Sequence, residues 1–385
     1  MNRTDISEIR KTFTKNSCAI DRFAACLVDD EKNKTFVTKE ALLSLPEEEL
    51  DRYLDIFHKA LSGTLGKSLI NMDFPKESEM GGPASELLAL RDSALKDDEL
   101  IEKFFDQIIA NYPYDLRYYI ILAHASYDVP GKAKDGELMD DASENVYEYI
   151  LTCICPVNLA KPALGYDDVN GRIGELARDW VVAQPDKAFL FPAFEDRGAN
   201  VHRLLYYSKK AEELMPDFTN ALFGTMGPLS AGSQKDAFNT LITETVGETV
   251  NVDILKNVSE NIGEILLENK NSKEPADVVE LSCPEVKNLL SRSGVSDEEL
   301  YDFDETYEQV AGTDKKIAVN NLSVVKNFEV VTPEITIKAK PEAVPLIEHK
   351  EVDGRMCLVI PITSQVEING IPASFTRHSD DFSST

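Results

Sequence analysis

The sequence lacks both a long apolar run and a regular cysteine spacing. Its six cysteines are scattered over 385 residues: Cys18, Cys26, Cys153, Cys155, Cys283 and Cys357. Scattered cysteines in a long chain fit a reducing compartment. The first residues, MNRTDISEIRKTF, lack the apolar core of a signal peptide, and no apolar run approaches the roughly 20 residues that span a bilayer. We therefore expect a cytoplasmic protein with no membrane association.

Positive charge is also scarce. The 40 Lys and Arg residues stand against 68 Asp and Glu residues, which gives a formal net charge of −28. This balance opposes binding to nucleic-acid phosphates, so we expect no generic DNA or RNA binding. Two interpretations stay open: a well-solvated surface, or a surface that imitates nucleic acid and captures a basic partner.

No catalytic or nucleotide-binding motif is complete. The segment GTLGKS at 63–68 copies the end of a phosphate-binding P-loop, but Leu61 occupies the position of its first glycine. The pattern also places a helix before this segment and a strand after it, which is the reverse of a P-loop. It therefore predicts a turn at the end of a helix. We assign no catalytic residue, no metal ligand and no cofactor.

The hydrophobic pattern predicts helices and strands in mixed order. Apolar residues every three or four positions predict helices at 50–61, 84–95, 98–111, 284–292 and 297–310, and helical structure within 210–268. Runs rich in β-branched and aromatic residues predict strands at 23–28, 35–37, 69–74, 118–129, 146–157, 180–182, 189–191 and 201–207. We predict an α+β fold with a mainly antiparallel sheet and packing helices, plus a C-terminal helix and small β module.

The length of the chain exceeds that of one ordinary core, so we expect more than one domain. The segment NKNSKEPAD at 269–277 is polar and contains proline, which is typical of a linker. We predict an N-terminal α+β body over 1–270, with an optional boundary near 112, and a C-terminal module over 278–372. The residues 373–385 have no periodicity and predict a flexible tail.

Carboxylates are concentrated between residues 128 and 148. The stretch contains Asp128, Asp135, Glu137, Asp140, Asp141, Glu144 and Glu148. Clustered carboxylates suit a hard cation such as Mg²⁺ or Ca²⁺, although the register of an EF-hand fails here. A solvated acidic loop is the alternative. Cys153 and Cys155 share one face of a predicted strand, and we interpret them as buried hydrophobes because a zinc site needs more ligands.

One segment, 170–210, runs against the overall charge. It contains seven Lys and Arg residues against five Asp and Glu residues. Guanidinium groups bind carboxylates and phosphates bidentately, so this segment suits an anionic ligand. The candidate ligand-binding residues are Arg172, Arg178, Arg197, His202, Arg203 and Tyr207. The alternative is that these arginines pair with carboxylates of the chain itself.

Several strings in the chain are long enough to be specific, among them YDVPGKAKDGELMDDASENVYEYILTCICPVNL, RDWVVAQPDKAFLFPAFEDR and DGRMCLVIPI. Through them the chain resembles a family of bacterial proteins of similar length known as domain of unknown function 4317. The resemblance runs over nearly the whole chain. It implies a cytoplasmic bacterial protein, and it carries over no substrate, cofactor or catalytic residue.

Our first functional hypothesis is a non-enzymatic protein that binds another protein or an anionic small ligand. The second is a hydrolase that depends on a divalent metal held by carboxylates from 128–148. The third is an acidic mimic of nucleic acid that binds a basic partner. The sequence does not indicate an oligomeric state.

Overall fold

The structure is a computed structural model that describes residues 1–75, 81–132, 138–167, 171–175, 178–247, 250–322, 328–362, 366–368 and 371–373. Within these residues the chain combines α-helices with a large antiparallel sheet, so the predicted α+β class is confirmed. No helix in these ranges is long and apolar enough to cross a membrane. The α-helices are α1 (Arg3–Lys11), α2 (Glu47–Ala60), α3 (Pro83–Asp92), α4 (Asp98–Asn111), α5 (Pro216–Phe223), α6 (Ala231–Val246), α7 (Val252–Asn271), α8 (Cys283–Arg292) and α9 (Phe303–Ala311).

The strands form one large sheet and several two-stranded sheets. The strands are β1 (Ile20–Val28), β2 (Lys34–Ala41), β3 (Leu69–Asp73), β4 (Tyr118–Lys132), β5 (Leu138–Leu159), β6 (Leu164–Asp167), β7 (Arg172–Glu175), β8 (Trp180–Val182), β9 (Lys187–Phe191), β10 (Ala193–Glu195), β11 (Gly198–Asn200), β12 (Arg203–Ser208), β13 (Glu280–Leu281), β14 (Ile317–Ala318), β15 (Phe328–Val331), β16 (Thr336–Ala339), β17 (Glu348–Val352), β18 (Arg355–Val359), β19 (Val366–Ile368) and β20 (Ile371–Ala373). The large sheet has the order β2-β1-β4-β5-β9-β12-β3, and β8 adds to β5 beside this path.

The β4–β5 hairpin is the centre of the large sheet. Its antiparallel register runs from Tyr118 opposite Pro156 to Lys132 opposite Leu138, as the two apolar runs predict. Successive side chains of a strand point to opposite faces. Ile120 and Ile121 are both fully buried, so both faces of the sheet are covered. Because both faces are buried, successive residues of β4 are apolar instead of alternating between apolar and polar.

A separate hydrophobic cluster covers each face of the sheet. On one face α1 and α2 contribute Ile9 and Phe57, which pack with Leu151 of β5. On the other face α4 and α5 contribute Phe105 and Phe218, and α3 joins the same cluster. The amphipathic helices predicted from the sequence therefore bury their apolar stripes against the sheet.

A third cluster joins the helices on both sides of residue 270. Phe238 of α6 and Ile262 of α7 share this cluster with Leu289 of α8 and Tyr307 of α9. The segment after α7 is also bonded locally, because the Asn269 side chain exchanges two hydrogen bonds of 2.9 Å with the backbone of residue 276. The domain boundaries near 112 and 270 stay predictions, and the structure places the helices that flank 270 in one core.

The described C-terminal residues from 328 onward form a series of β-hairpins, in agreement with the predicted small β module. The turn between β17 and β18 contains Asp353 and Gly354 with φ of 51° and 75°, the left-handed geometry of a tight hairpin turn. Phe328, Val344 and Ile347 form a small cluster of their own. We predict a flexible tail over 373–385; Ala373 is the last residue of β20, and residues 374–385 lie outside the described residues.

From the sequence we also predict helix N-caps at Ser44, Ser233 and Asn251. The first two are wrong. The Ser44 hydroxyl donates to the carbonyl of Ala41 at 2.7 Å, and α2 begins after Pro46 instead. The helix α6 begins one turn earlier than predicted, because Ser230 accepts the backbone N–H of Ser233 at 3.1 Å. The cap at Asn251 is confirmed.

The segment that resembles a P-loop is a turn between α2 and β3, as its flanking pattern predicts. Gly66 has φ of +79°, and its N–H donates to the carbonyl of Leu69 at 2.8 Å. The chain enters this turn from a helix and leaves it as a strand. This order is the reverse of a phosphate-binding loop.

We predict that Phe105→Ala destabilises the protein by about 3–5 kcal/mol, since it leaves a cavity under the sheet. Phe105 is fully buried, whereas Phe36 on β2 is 54% exposed. Urea unfolding followed by circular dichroism measures both variants. Phe36→Ala is the matched control and should change the free energy of unfolding by less than about 1 kcal/mol. Equal effects would contradict the assigned burial.

Candidate functional site

The structure distributes the six predicted ligand-binding residues over separate places. Arg172 lies on β7 and Arg178 precedes β8, and both side chains are exposed. Arg197 lies in the turn between β10 and β11. Tyr207 belongs to the core under α1 and α2 and is only 3% exposed. The set therefore stays a prediction.

Arg203 is held by two carboxylates of the chain. Its Nε lies 2.5 Å from Oδ1 of Asp73, and its Nη1 lies 2.9 Å from Oε1 of Glu195. The sheet sets up the first contact, because Arg203 and Asp73 are paired residues of β12 and β3. His202 precedes Arg203 in an exposed turn, and its carbonyl accepts the N–H of Phe74 at 2.9 Å.

Glu195 is the centre of this polar cluster. Its carboxylate accepts hydrogen bonds from the Met1 ammonium group, from Asn200 Nδ2 at 2.7 Å and from Arg203. Burial by itself raises the pKa of Glu195, but these three donors outweigh burial and lower the pKa from 4.5 to about 2. The carboxylate is therefore ionised at neutral pH and neutralised by the chain itself.

Arg197 also contacts groups of the chain. It has φ of 60° in the turn, donates to the carbonyl of Pro130, and its Nη1 lies 3.5 Å from Oε1 of Glu8 on α1. The pairing that we considered as the alternative for the arginine-rich segment thus occurs at Arg197 and Arg203. Among the described residues, Arg172 and Arg178 form no ion pair.

The described residues contain no group of three or more His, Cys, Asp or Glu side chains that could hold a metal ion. Of the seven carboxylates in 128–148, only Asp128 and Glu148 have described side chains, and both are exposed. The others lie outside the described side chains. Cys153 and Cys155 are fully buried, and burial raises the pKa of both thiols, as expected of buried hydrophobes.

A wide concavity lies where the sequence indicated no site. A cavity of about 1080 Å³ opens between α2, the residues after α1, and the sheet. Its apolar walls include Phe13, Tyr53 and Tyr119, and the hydroxyls of the two tyrosines lie 2.9 Å apart. Burial raises the pKa of both tyrosines, so they are neutral hydrogen-bonding groups at physiological pH. We call this the α2 cavity.

The rim of the α2 cavity is acidic. Four carboxylates line it against two side chains that are always cationic, Lys15 and Arg52. Lys15 lies 3.0 Å from Asp51 and 2.5 Å from Glu47, so its charge is already shared. The carboxylates that line the cavity are Glu48, Glu49, Asp51 and Asp55.

An exposed apolar surface continues from the α2 cavity. Val182 of β8 lines the cavity and is 41% exposed, and Trp180 is 51% exposed. Leu159 of β5 lies opposite Trp180 and is also exposed. All three side chains point to the α2 face of the sheet, because Val182 pairs with the buried Val157 and the others lie two residues away. We call Leu159, Trp180 and Val182 the β8 strip.

Trp180 is held in place by a cation. The guanidinium of Arg117 lies 4.2 Å from the centre of its ring, which is the geometry of a cation–π contact. This contact covers one side of the indole and fixes its orientation without burying it. The sequence signal for the strip was the apolar run at 180–182, which we interpreted only as a strand, whereas Leu159 lay outside the predicted strands.

We predict that Glu195→Gln lowers the free energy of unfolding at pH 7 by up to about 3 kcal/mol, from the shift in pKa. The folded pKa of about 2 lies below the ordinary 4.5, so this stabilisation is present above pH 4.5 and is lost as the pH falls toward 2. Urea unfolding at pH 7, 5 and 3 measures it. The difference between wild type and variant should shrink on acidification.

Glu260→Gln is the control for this measurement, since Glu260 is exposed on α7. It should change stability by less than about 0.5 kcal/mol at each pH. A Glu195→Gln effect that does not depend on pH would contradict the assigned ion pairs.

The comparisons with known proteins identify a family for this chain. A search of curated proteins finds no match. One family model, described as Domain of unknown function (DUF4317), matches residues 1–371. The matched range contains the large sheet, the four-helix core and the hairpins through β19, so the resemblance noted in the sequence is confirmed. This chain therefore belongs to the family of domain of unknown function 4317.

Proposed function

We propose that this protein is a protein-interaction module that docks a segment of a partner protein on the β8 strip and the α2 cavity. The observation that carries the proposal is the continuity of exposed apolar side chains from Val182 into the cavity. Exposed apolar surface costs free energy in water and commonly marks interaction sites on soluble domains. The strip also contains tryptophan, a residue enriched among the dominant contacts of interfaces.

The surroundings of the β8 strip are those of a binding site rather than of a poorly packed surface. The cavity is far larger than a single water site and has neutral tyrosine hydroxyls in an apolar wall. Such a combination of concave apolar surface and a few polar groups is the usual form of a binding pocket. Arg117 holds Trp180 in one orientation, which reduces the entropy lost on binding.

The protein contains one tryptophan, so Trp180 emission reports directly on the strip. We expect a displayed library of random 16-residue peptides, selected on the wild-type chain, to yield binders that shift this emission to shorter wavelength. Fluorescence anisotropy of labelled binders measures affinity. Trp180→Ala should weaken binding at least about tenfold, the loss expected for a dominant interface residue.

Tyr301→Ala is the matched control, because Tyr301 is 82% exposed and lies elsewhere on the surface. It should leave the affinity unchanged. Selected peptides that bind Trp180→Ala as tightly as wild type would contradict the proposal, as would a library that yields no binder.

An anionic small ligand is the second candidate, and the observation that favours it is the exposure of Arg172 and Arg178 without an ion pair among the described residues. Arg203 supports it less, since Asp73 and Glu195 already occupy its guanidinium. An anion at these exposed groups would bind through charge-assisted hydrogen bonds, which salt weakens.

We expect inorganic phosphate at low ionic strength to give binding heat with wild type that is lost in the double variant Arg172→Ala, Arg178→Ala. Isothermal titration calorimetry measures both. Arg355→Ala is the control, because Arg355 is an exposed arginine of the β17–β18 hairpin. Absence of heat with wild type would reject the anionic ligand.

The two remaining hypotheses stay predictions. A metal-dependent hydrolase would need carboxylates from 128–148 to converge, and most of these lie outside the described side chains. A mimic of nucleic acid rests on the net charge of −28. No contact between described residues favours either one over the protein-interaction module.

A further inference from the structure

We propose that the partner segment binds as an added β-strand along the free edge of β8, and that it is basic, with a cationic side chain entering the α2 cavity. This inference rests on the proposed docking surface. It adds the backbone geometry of the bound segment and its charge.

Within the part of the chain that the structure describes, the hydrogen-bond ladder leaves one edge of β8 unpaired. In an antiparallel pair, alternate residues direct their backbone groups toward the partner strand and away from it. Two backbone hydrogen bonds of 2.8 Å set this alternation. The N–H of Ala160 donates to the carbonyl of Asp179, and the N–H of Ala183 donates to the carbonyl of Pro156. The N–H and C=O of Trp180 and Val182 therefore point away from β5. They form no hydrogen bond with any described residue.

The sequence of β8 does not protect this edge. Natural edge strands are commonly blocked by charged side chains, proline or a covering element. The edge strand β2, at one end of the large sheet, contains Lys34 and Lys39, which form ion pairs with Glu102 and Asp98 of α4. By contrast β8 consists of one Trp and two Val residues, all exposed. An exposed, uncharged edge of this kind is a template for strand addition.

An added strand would place a side chain in the α2 cavity. Residues directly opposite each other in neighbouring strands point to the same face. Val182 lines the cavity, so the partner residue opposite Val182 also faces it. Strand addition therefore engages both parts of the docking surface. The backbone of the partner segment would form hydrogen bonds with the edge of β8, and one of its side chains would enter the α2 cavity.

The chemistry of the cavity selects a cation for that side chain. Glu48 and Glu49 line the cavity and form no ion pair with a described residue. The apolar wall suits the aliphatic stem of Lys or Arg, while the rim carboxylates suit its charged head. Tyr53 in the wall adds an aromatic ring of the type that attracts cations. The net charge of −28 also steers a basic segment toward the protein.

A capped 12-residue peptide of alternating Lys and Val is the probe, with a Glu and Val peptide of the same length as its charge control. We expect the Lys peptide to shift Trp180 emission on the full chain and the Glu peptide to bind at least about tenfold more weakly. N-methylation of the amides on one edge of the Lys peptide removes the backbone N–H groups that would donate hydrogen bonds to β8, and it leaves the charge of the peptide unchanged. It should weaken binding at least about tenfold.

The variant Glu48→Gln, Glu49→Gln should weaken binding of the Lys peptide about fivefold or more. Glu260→Gln is the matched control and should change affinity less than twofold. Hydrogen exchange of the Trp180 and Val182 amides should slow when the Lys peptide binds. These two amides are the readout specific to strand addition.

The outcomes separate this inference from the proposed function. If Trp180→Ala abolishes binding while N-methylation and Glu48→Gln, Glu49→Gln have no effect, the docking surface stands and strand addition by a basic segment is overturned. Fluorescence anisotropy of the labelled Lys peptide measures its affinity for Trp180→Ala, which contains no tryptophan. If the peptide binds equally to wild type and Trp180→Ala, both the surface and this inference are overturned. Tight binding of the Glu peptide would overturn the assigned charge of the partner.

Discussion

The antiparallel pairing of β4 with β5 is the interaction on which the rest of the N-terminal body depends. Its ladder continues from Tyr118 opposite Pro156 to the far end of both strands. The helices α1 and α2 cover one face of this ladder, and α3, α4 and α5 cover the other. Each cluster needs the sheet as its opposite wall. A change that separates the two strands would therefore disrupt both cores together.

The same pairing also explains where surface is left uncovered. Coverage by α2 extends as far as Val157, which is 4% exposed, whereas Leu159 two residues later on the same face is 37% exposed. The strand β8 pairs with this uncovered end of β5. Its exposed apolar residues are therefore a consequence of a sheet that extends beyond the helix packed on it, and the α2 cavity lies at that margin.

Some of the arginines that the sequence suggested for binding an anionic ligand form ion pairs within the chain. Arg203 pairs with Asp73, which is far away in the chain, because β12 and β3 are neighbouring strands of the sheet. It also pairs with Glu195 at the end of β10, only eight positions before it. A chain with a net charge of −28 offers many carboxylates to each arginine. Internal pairing is therefore common, and a local excess of arginine is weak evidence for an anionic ligand.

The sequence by itself determined the fold class, most helices and strands, and the resemblance to the family. These features rest on local periodicity, which a single stretch of chain contains in full. The exposure of Trp180 and the pairing of Arg203 could not be predicted in this way, because each depends on segments that meet only in the folded chain. Apolar residues such as Val182 have the same pattern in a buried strand and in an open edge. Tertiary structure decided between them, since burial depends on whether a helix covers that part of the sheet.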